Sequence, residues 1–313
     1  SLHKQKPCGD FKAVEVEDLN FDNLTIYLKE HAFKVNQDRL QVEGWALIDK
    51  KAQELLEKLK GIGAPLEKYV EGNIFYGIKT GYNEAFVINE EQMQKLISED
   101  KQSAKVIYPV LKGRDVKRYS SLNSNNYLIY IERDLDLEAF PAIKRYLEKY
   151  RDRLEPKPKD WQGGKWRGRA SGSYKWYETQ SAFSNYEKWL KPKIIYPDLS
   201  NRCEFTIDLK GEFLGLNTTY VITIADLALL GILNSTLIEF YYRTISSSYK
   251  GGYLRFFTQY VETLPIKRPD QNTTTKIESL VDQILTSKRE DPDADTCALE
   301  AEIDRLVYEL YGL

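Results

Sequence analysis

Apolar positions change their spacing several times along the chain, and each change marks an element. Ile48, Ala52, Leu55, Leu56 and Leu59 recur at three- and four-residue intervals, which predicts a helix ended by Gly61 or Gly63 in the left-handed conformation. NIFYGI (73–78) and EAFVI (84–88) are strand-like runs about a Thr-Gly-Tyr-Asn turn, the pattern of a hairpin. A short helix around 90–98 and strands near 106–110 and 126–132 follow, and then FPAIKRYLEKYRDRL (140–154) reads as an amphipathic helix with Pro141 in its first turn. KIIYP (193–197), CEFTID (203–208) and YVITI (220–224) predict three more strands, and 226–242 predicts a buried helix broken near Asn234 and Ser235. Residues 273–287 and 296–311 predict two helices joined by the acidic REDPDAD, the second with an apolar stripe of Leu299, Ile303, Val307 and Leu310. Residues 1–45 are charged and mixed in period, a connector with at most one short strand. The sum is a mixed α+β fold: a twisted sheet with hairpins, packed helices and a C-terminal helical pair. Its expected parts are 1–45, 46–266 and 267–313.

Composition narrows the class. With 42% hydrophobic residues in 313, the chain can build a real core, so general disorder is excluded. Cys8, Cys203 and Cys297 are far apart and odd in number, which argues against a disulfide framework and for a reducing cytoplasm. No apolar run approaches the roughly 18–20 residues that span a bilayer, and the start has no apolar signal core. The reading is a cytoplasmic chain with no membrane partner. It begins with serine and holds one methionine, Met93, so it reads as a piece of a longer protein.

The near-neutral total charge of −2 hides a segregation. Between Lys144 and Lys193 there are fourteen Lys or Arg against six Asp or Glu, while the rest of the chain carries 31 against 41. Such an imbalance is the footprint of a polyanion-binding surface. In WQGGKWRGRASGSYKWYE (161–178), Lys165, Arg167, Arg169 and Lys175 alternate with Trp161, Trp166, Tyr174, Trp176 and Tyr177. Cations neutralise phosphates, aromatic faces stack on bases, and an arginine can read guanine through two hydrogen bonds. The plainer reading is a solvated, flexible loop whose aromatics return to the core.

Most catalytic constellations are excluded by what is missing. The only histidines, His3 and His31, stand 28 residues apart in the connector, and no His/Cys/carboxylate set has zinc spacing. GNIFYGIKT (72–80) approaches a phosphate-binding loop, but Ile78 displaces Lys79 from its required place. Asp198 with Asp208 and Lys210 has the look of a Mg²⁺-dependent nuclease core, with the ordinary turn LKGE as its bland counterpart. Lys112-Gly113-Arg114-Asp115 reads as a tight turn that can present Arg114 to a partner. The Gly251-Gly252 pair reads as a clamping loop or a bend.

The order of several segments carries a resemblance. GIKTGYNEAFVI (77–88), VLKGRDVKRY (110–119), KWYE (175–178), KPKIIYPDLS (191–200), LLGILNSTLIEFYY (229–242), GGYLRFFTQYVETLPI (251–266) and LEAEIDRLVYELYGL (299–313) span about residues 45–313. Together they resemble the C-terminal specificity domain of TaqI-like and type IIG restriction–modification adenine methyltransferases. The resemblance implies a connector over 1–45, a DNA target-recognition domain over 46–266 and a helical subdomain over 267–313. The chain itself is then non-catalytic and holds no cofactor, in a phage-defence system. S-adenosylmethionine and Mg²⁺ belong to the parent enzyme, whose methyltransferase domain and double-stranded DNA are the expected partners. An Asn/Asp-Pro-Pro-Tyr/Phe signature is absent. The expected DNA contacts are Lys79, Thr80, Asn83, Arg114, Lys165, Arg167, Arg169, Lys175, Trp176, Lys191 and Lys193, with arginines on bases and lysines on phosphates. The alternatives are a nuclease using Asp198, Asp208 and Lys210, and an RNA or protein interaction module.

Overall fold

The computed structural model describes residues 9–14, 16, 20, 22–36, 50–133, 135–181, 186–246, 248–249 and 252–313. His3, Cys8, Ile48 and Gly251 lie outside the described residues.

Strand β1 (Asp10–Ala13), helix α1 (Leu24–His31) and strand β2 (Phe33–Asn36) come first. β1 and β2 pair antiparallel, so the connector holds two strands and a helix where one strand is expected. Next are α2 (Lys50–Ile62), β3 (Ala64–Pro65), α3 (Leu66–Tyr69), β4 (Ile74–Tyr76), α4 (Asn83–Phe86), β5 (Val87–Asn89) and α5 (Glu90–Glu99). β6 (Ile107–Leu111), β7 (Asn126–Ile129), α6 (Pro141–Glu148) and α7 (Arg151–Leu154) complete the first half. The second half runs β8 (Lys193–Pro197), β9 (Leu199–Ser200), β10 (Thr206–Asp208), β11 (Leu214–Gly215) and β12 (Thr219–Ile222). It continues with α8 (Leu227–Leu233), α9 (Thr236–Ile245), β13 (Ser248–Tyr249), β14 (Tyr253–Arg255), α10 (Thr258–Val261) and β15 (Pro265–Ile266). Two helices, α11 (Gln271–Glu290) and α12 (Cys297–Tyr311), end the chain.

The central sheet has the order β10-β8-β12-β4 and is antiparallel throughout. Its side chains alternate between two cores, as a two-residue period requires. Ile194, Tyr196, Tyr220 and Ile222 enter one core, whereas Ile195 and Val221 enter the other. The first core is covered by helices: Leu229, Leu230 and Leu233 of α8 meet Ile277, Val281 and Ile284 of α11 and Ile303, Leu306 and Val307 of α12. Gly231 permits this approach, because a Cβ there would lie 2.6 Å from the Ile277 side chain. The second core lies against the sheet β11-β6-β7-β5 and is closed by Leu96 of α5 and Ile143 and Leu147 of α6.

The hairpin expected over 73–88 does not form. β4 pairs with β12 in the central sheet, and β5 pairs with β7 in the other sheet. Between them the chain crosses sheets at Gly77, where a Cβ would lie 1.8 Å from the Leu216 carbonyl oxygen. Ala85 and Phe86, read as strand, form a buried helical turn instead. A five-residue apolar run is too short for its period to decide. The helix over 140–154 is broken by bonds to the third residue back, Lys149 to Tyr146 and Tyr150 to Leu147, which tighten its last turn. The expected break near Asn234 and Ser235 is present, with the Ser235 hydroxyl capping α9 through the Ile238 amide.

Candidate nucleic-acid interface

The basic aromatic segment is built around one buried side chain. Arg169 is 4% exposed, and its guanidinium donates to five carbonyl oxygens. Nε reaches Leu154 at 2.7 Å; Nη1 reaches Thr80 at 2.8 Å and Glu178 at 2.7 Å; Nη2 reaches Lys175 at 3.1 Å and Trp176 at 2.9 Å. An arginine has five N–H donors, so this fork is fully used. It also lies 4.5 Å from the Tyr174 ring centroid and 5.4 Å from that of Phe86. Burial lowers its pKa to about 10, which leaves it charged at neutral pH. The loop edges are stitched by Arg169 N to Glu155 O and Lys157 N to Arg169 O, and Trp166 Nε1 donates to Glu155 O at 3.1 Å. Glu178 accepts from Arg133 and from the Lys175 amide. The segment is therefore braced by its own polar network, which answers the flexible-loop reading.

That network corrects part of the expected contact set. Arg169 is a structural hub with no free donor for a base. Thr80 is buried; its hydroxyl donates to Asn83 Oδ1 at 2.6 Å and its carbonyl serves the hub. Lys193 is fully buried, opposite Asp208 in the β8–β10 register, with Nζ 2.6 Å from Asp208 Oδ2. Burial lowers the Lys193 pKa while Asp208 opposes the shift. None of these three reaches solvent.

The other candidates are on the surface. Lys165, Arg167 and Lys175 project from the braced segment, exposed. Lys79 is joined to its end by Lys79 N to Ser181 Oγ and Ser181 N to Lys79 O, both 2.9 Å. Trp176 is half-buried beneath the Arg151 guanidinium, 4.2 Å from its ring centroid. Trp161, 40% exposed, meets Trp166 edge-on at 4.9 Å. Arg114 is exposed in the short turn Gly113–Asp115, anchored by Gly113 N to Thr218 Oγ1. Lys191 is exposed two residues before β8. Pattern reading assigned Arg151 and Arg153 to a helix and missed them as exposed cations. Arg153 stands 5.2 Å from the Tyr82 ring centroid, beside Asn83.

The nuclease constellation does not assemble. Asp208 accepts from the backbone amides of Gly211, Glu212 and Phe213 as well as from Lys193, so its oxygens are committed to closing the turn. Asp208 faces Lys193 at one end of β8, and Asp198 follows Pro197 at the other. At about 3.3 Å per residue that strand separates them by roughly 16 Å, far beyond the about 2 Å ligand distances of one Mg²⁺. Asp198 pairs instead with Arg255 at 3.2 Å; burial raises its pKa, with Arg255 opposing. Lys210 lies exposed, 3.8 Å from Glu212. Among the described residues no group of three or more His, Cys, Asp or Glu could hold a metal ion.

S-adenosylmethionine is not fitted by these residues either. Gly163, Gly164, Gly168 and Gly172 lie in a loop after helix α7 rather than after a strand, and the space beside Gly77 is filled by Leu216. Nor is any helix among the described residues long and apolar enough to cross a membrane.

One feature, apart from Asn83, escaped pattern reading. Asn83, Glu84, Asn89, Gln92, Lys112, Asn126 and Tyr150 help to line a cleft of about 520 Å³. The amides are scattered over more than forty residues, and only strand pairing unites them: Asn89 and Asn126 are cross-strand partners in β5 and β7. Tyr150 joins the cleft to the basic face through Tyr82, at a centroid distance of 6.3 Å.

Residues 108–266 match the TaqI-like C-terminal specificity domain, and the chain belongs to this family. It is 27% identical over 248 residues to the type II methyltransferase M.MjaIV of Methanocaldococcus jannaschii, covering 74% of this chain and 76% of that protein. The type II methyltransferase M.BanIII of Aneurinibacillus aneurinilyticus is 23% identical over 253 residues, covering 76% of this chain and 41% of that one. The fold is similar to that of the type IIL restriction–modification enzyme MmeI, solved in complex with DNA. That match has a TM-score of 0.58 and 17% identity, and covers 77% of this chain and 32% of that one. The chain thus spans less than half of M.BanIII and about a third of MmeI.

Proposed function

We propose that this chain recognises duplex DNA sequence-specifically, as the specificity part of a restriction–modification adenine-N6 methyltransferase, with or without a fused endonuclease. The observation that carries the reading is the row of exposed cations, Lys79, Lys165, Arg167 and Lys175, on a segment locked by the buried Arg169. Fixed cations meet a phosphate backbone with little ordering cost, and Trp161 and Trp166 offer faces to sugars or bases. Arg114 and Lys191 add two further exposed cations to the DNA-facing set. Methyl transfer from S-adenosylmethionine belongs to a separate domain of the parent, as does any Mg²⁺-dependent cleavage. The two domains are partners within one enzyme. MmeI's own complex with DNA supports this choice of ligand.

The test is a gel shift of the 313-residue chain on duplex DNA and on structured RNA over a salt series, with and without Mg²⁺. We expect duplex DNA to be preferred and log affinity to fall by about 0.9 per decade of salt for each phosphate contacted. Stronger binding to RNA would replace this reading with an RNA module. Mg²⁺-dependent cleavage abolished by Asp198→Ala would replace it with the nuclease.

A further inference from the structure

The amide-lined cleft has a directional chemistry that the basic segment lacks. Three of its side chains have the amide oxygen already engaged within the protein. Asn83 Oδ1 accepts the Thr80 hydroxyl at 2.6 Å, Asn89 Oδ1 accepts the Gln92 amide at 2.9 Å, and Asn126 Oδ1 accepts Lys112 Nζ at 2.9 Å. Those bonds orient each amide and leave its NH₂ as the group available to a ligand. Lys112 adds further N–H donors, since one of its three is spent on Asn126. Four donor-bearing side chains thus line the cleft, and its one carboxylate, Glu84, takes a hydrogen bond from the Tyr82 hydroxyl.

Rigid donors in a concave site select acceptors. Among the major-groove edges of the base pairs, guanine presents two acceptors side by side, N7 and O6, whereas cytosine presents a donor and adenine a donor beside one acceptor. An exposed cation stands next to the cleft: Tyr150 lines it and packs on Tyr82, which Arg153 covers. Cations that fix a backbone next to a cleft that discriminates edges is the division between positioning and specifying contacts.

Resting on the DNA reading above, we infer that the cleft at the Asn89–Asn126 end of the β5–β7 pair is a base-reading site that selects guanine through the amide NH₂ groups of Asn83, Asn89 and Asn126 and the Lys112 ammonium. Sequence preference then resides here, and the exposed cations of residues 161–178 supply affinity common to all sequences.

The variants that test this keep the internal bonds, turn each donor into an acceptor and add one negative charge apiece. Asn83→Asp, Asn89→Asp and Asn126→Asp retain the accepting oxygen, so the Thr80 bond, the cap of α5 and the Lys112 bond all persist. The triple variant of the full chain and the wild type are each put through selection on a randomised duplex pool, the bound fraction is sequenced, and salt slopes are measured in parallel. Circular dichroism and the thermal midpoint verify the fold. We expect wild type to enrich a motif with at least one guanine preferred by about tenfold or more. In the triple variant that preference collapses to below about threefold, on top of the uniform loss of affinity that three added negative charges impose on every sequence. An unchanged motif in the folded variant overturns the inference and leaves DNA recognition standing. Failure of the wild type to bind any duplex at low salt overturns the DNA reading, and this inference with it.

Discussion

Arg169 and Lys193 are both buried cations in the basic stretch, yet they solve burial in opposite ways. Lys193 sits in the central sheet and meets a carboxylate, with the Asp208 oxygens further satisfied by three backbone amides. Arg169 sits in a loop and meets only neutral carbonyls, five of them, drawn from residues 80, 154, 175, 176 and 178. The first pair stabilises a strand register inside a core. The second gathers chain that has little regular secondary structure and gives it one shape. Charge in the sequence is therefore spent on building the interface as well as on presenting it.

The contrast is broken most severely at the sheet. Asp208→Ala strands the Lys193 ammonium in the core and frees three amides, and should cost about 3–5 kcal/mol of unfolding free energy. Lys193→Met should cost distinctly less, because Asp208 keeps its backbone donors. Urea unfolding of both variants measures the asymmetry, and equal losses would show that the pair is not the source.

The loop variants come next. Arg169→Ala should open residues 155–181 to limited proteolysis and lower duplex affinity about tenfold or more, while the main unfolding transition moves little. Arg169→Lys should not restore binding, since three donors cannot serve five carbonyls in a planar array. Restoration by lysine would mean that charge, rather than the fork, organises the segment.

Lys165→Ala and Arg167→Ala act on presentation alone. Each should reduce the salt slope by about 0.9 if it removes one phosphate contact, with stability unchanged within about 0.5 kcal/mol. A variant that lowers stability without changing the slope would place that side chain in the scaffold.

The smallest effect belongs to Asp198. Burial raises its folded pKa above the ordinary aspartate value, so its contribution to stability is fully present below the unfolded pKa and is lost as pH rises through the folded one. Asp198→Asn should therefore be slightly more stable than wild type at pH 7, with the advantage vanishing below about pH 3.9. Unfolding curves at pH 3.5 and 7 measure it. A loss of stability at pH 7 would show instead that the Arg255 pairing outweighs burial.

Much of the fold was legible because its signals are local. The stripe Leu299, Ile303, Val307 and Leu310 faces the first core in α12, and the alternation of KIIYP divides β8 between two cores. What pattern could not supply is which distant segments meet. The crossing at Gly77 is dictated by the Leu216 carbonyl, nearly 140 residues away, and no periodicity in 73–88 announces it. In the interface, Arg167 and Arg169 differ by two residues and have opposite fates, one exposed and one buried. A loop has no period from which to read inward and outward positions, so composition placed both on DNA. Asn83 was among the expected contacts, but the amides at 89 and 126 were invisible for a related reason: each is ordinary alone, and the β5–β7 register makes them neighbours.

The central claim is that this chain discriminates among duplex sequences, and its most direct test is a paired titration. The 313-residue chain is titrated with the duplex that selection enriches and with a scrambled duplex of equal length and composition, across one salt series. Two parallel lines of log affinity against log salt are expected, steep because the phosphate contacts are shared, with the enriched duplex bound more tightly at every salt concentration. Coincident lines would contradict it, leaving a basic surface that binds polyanions without reading them.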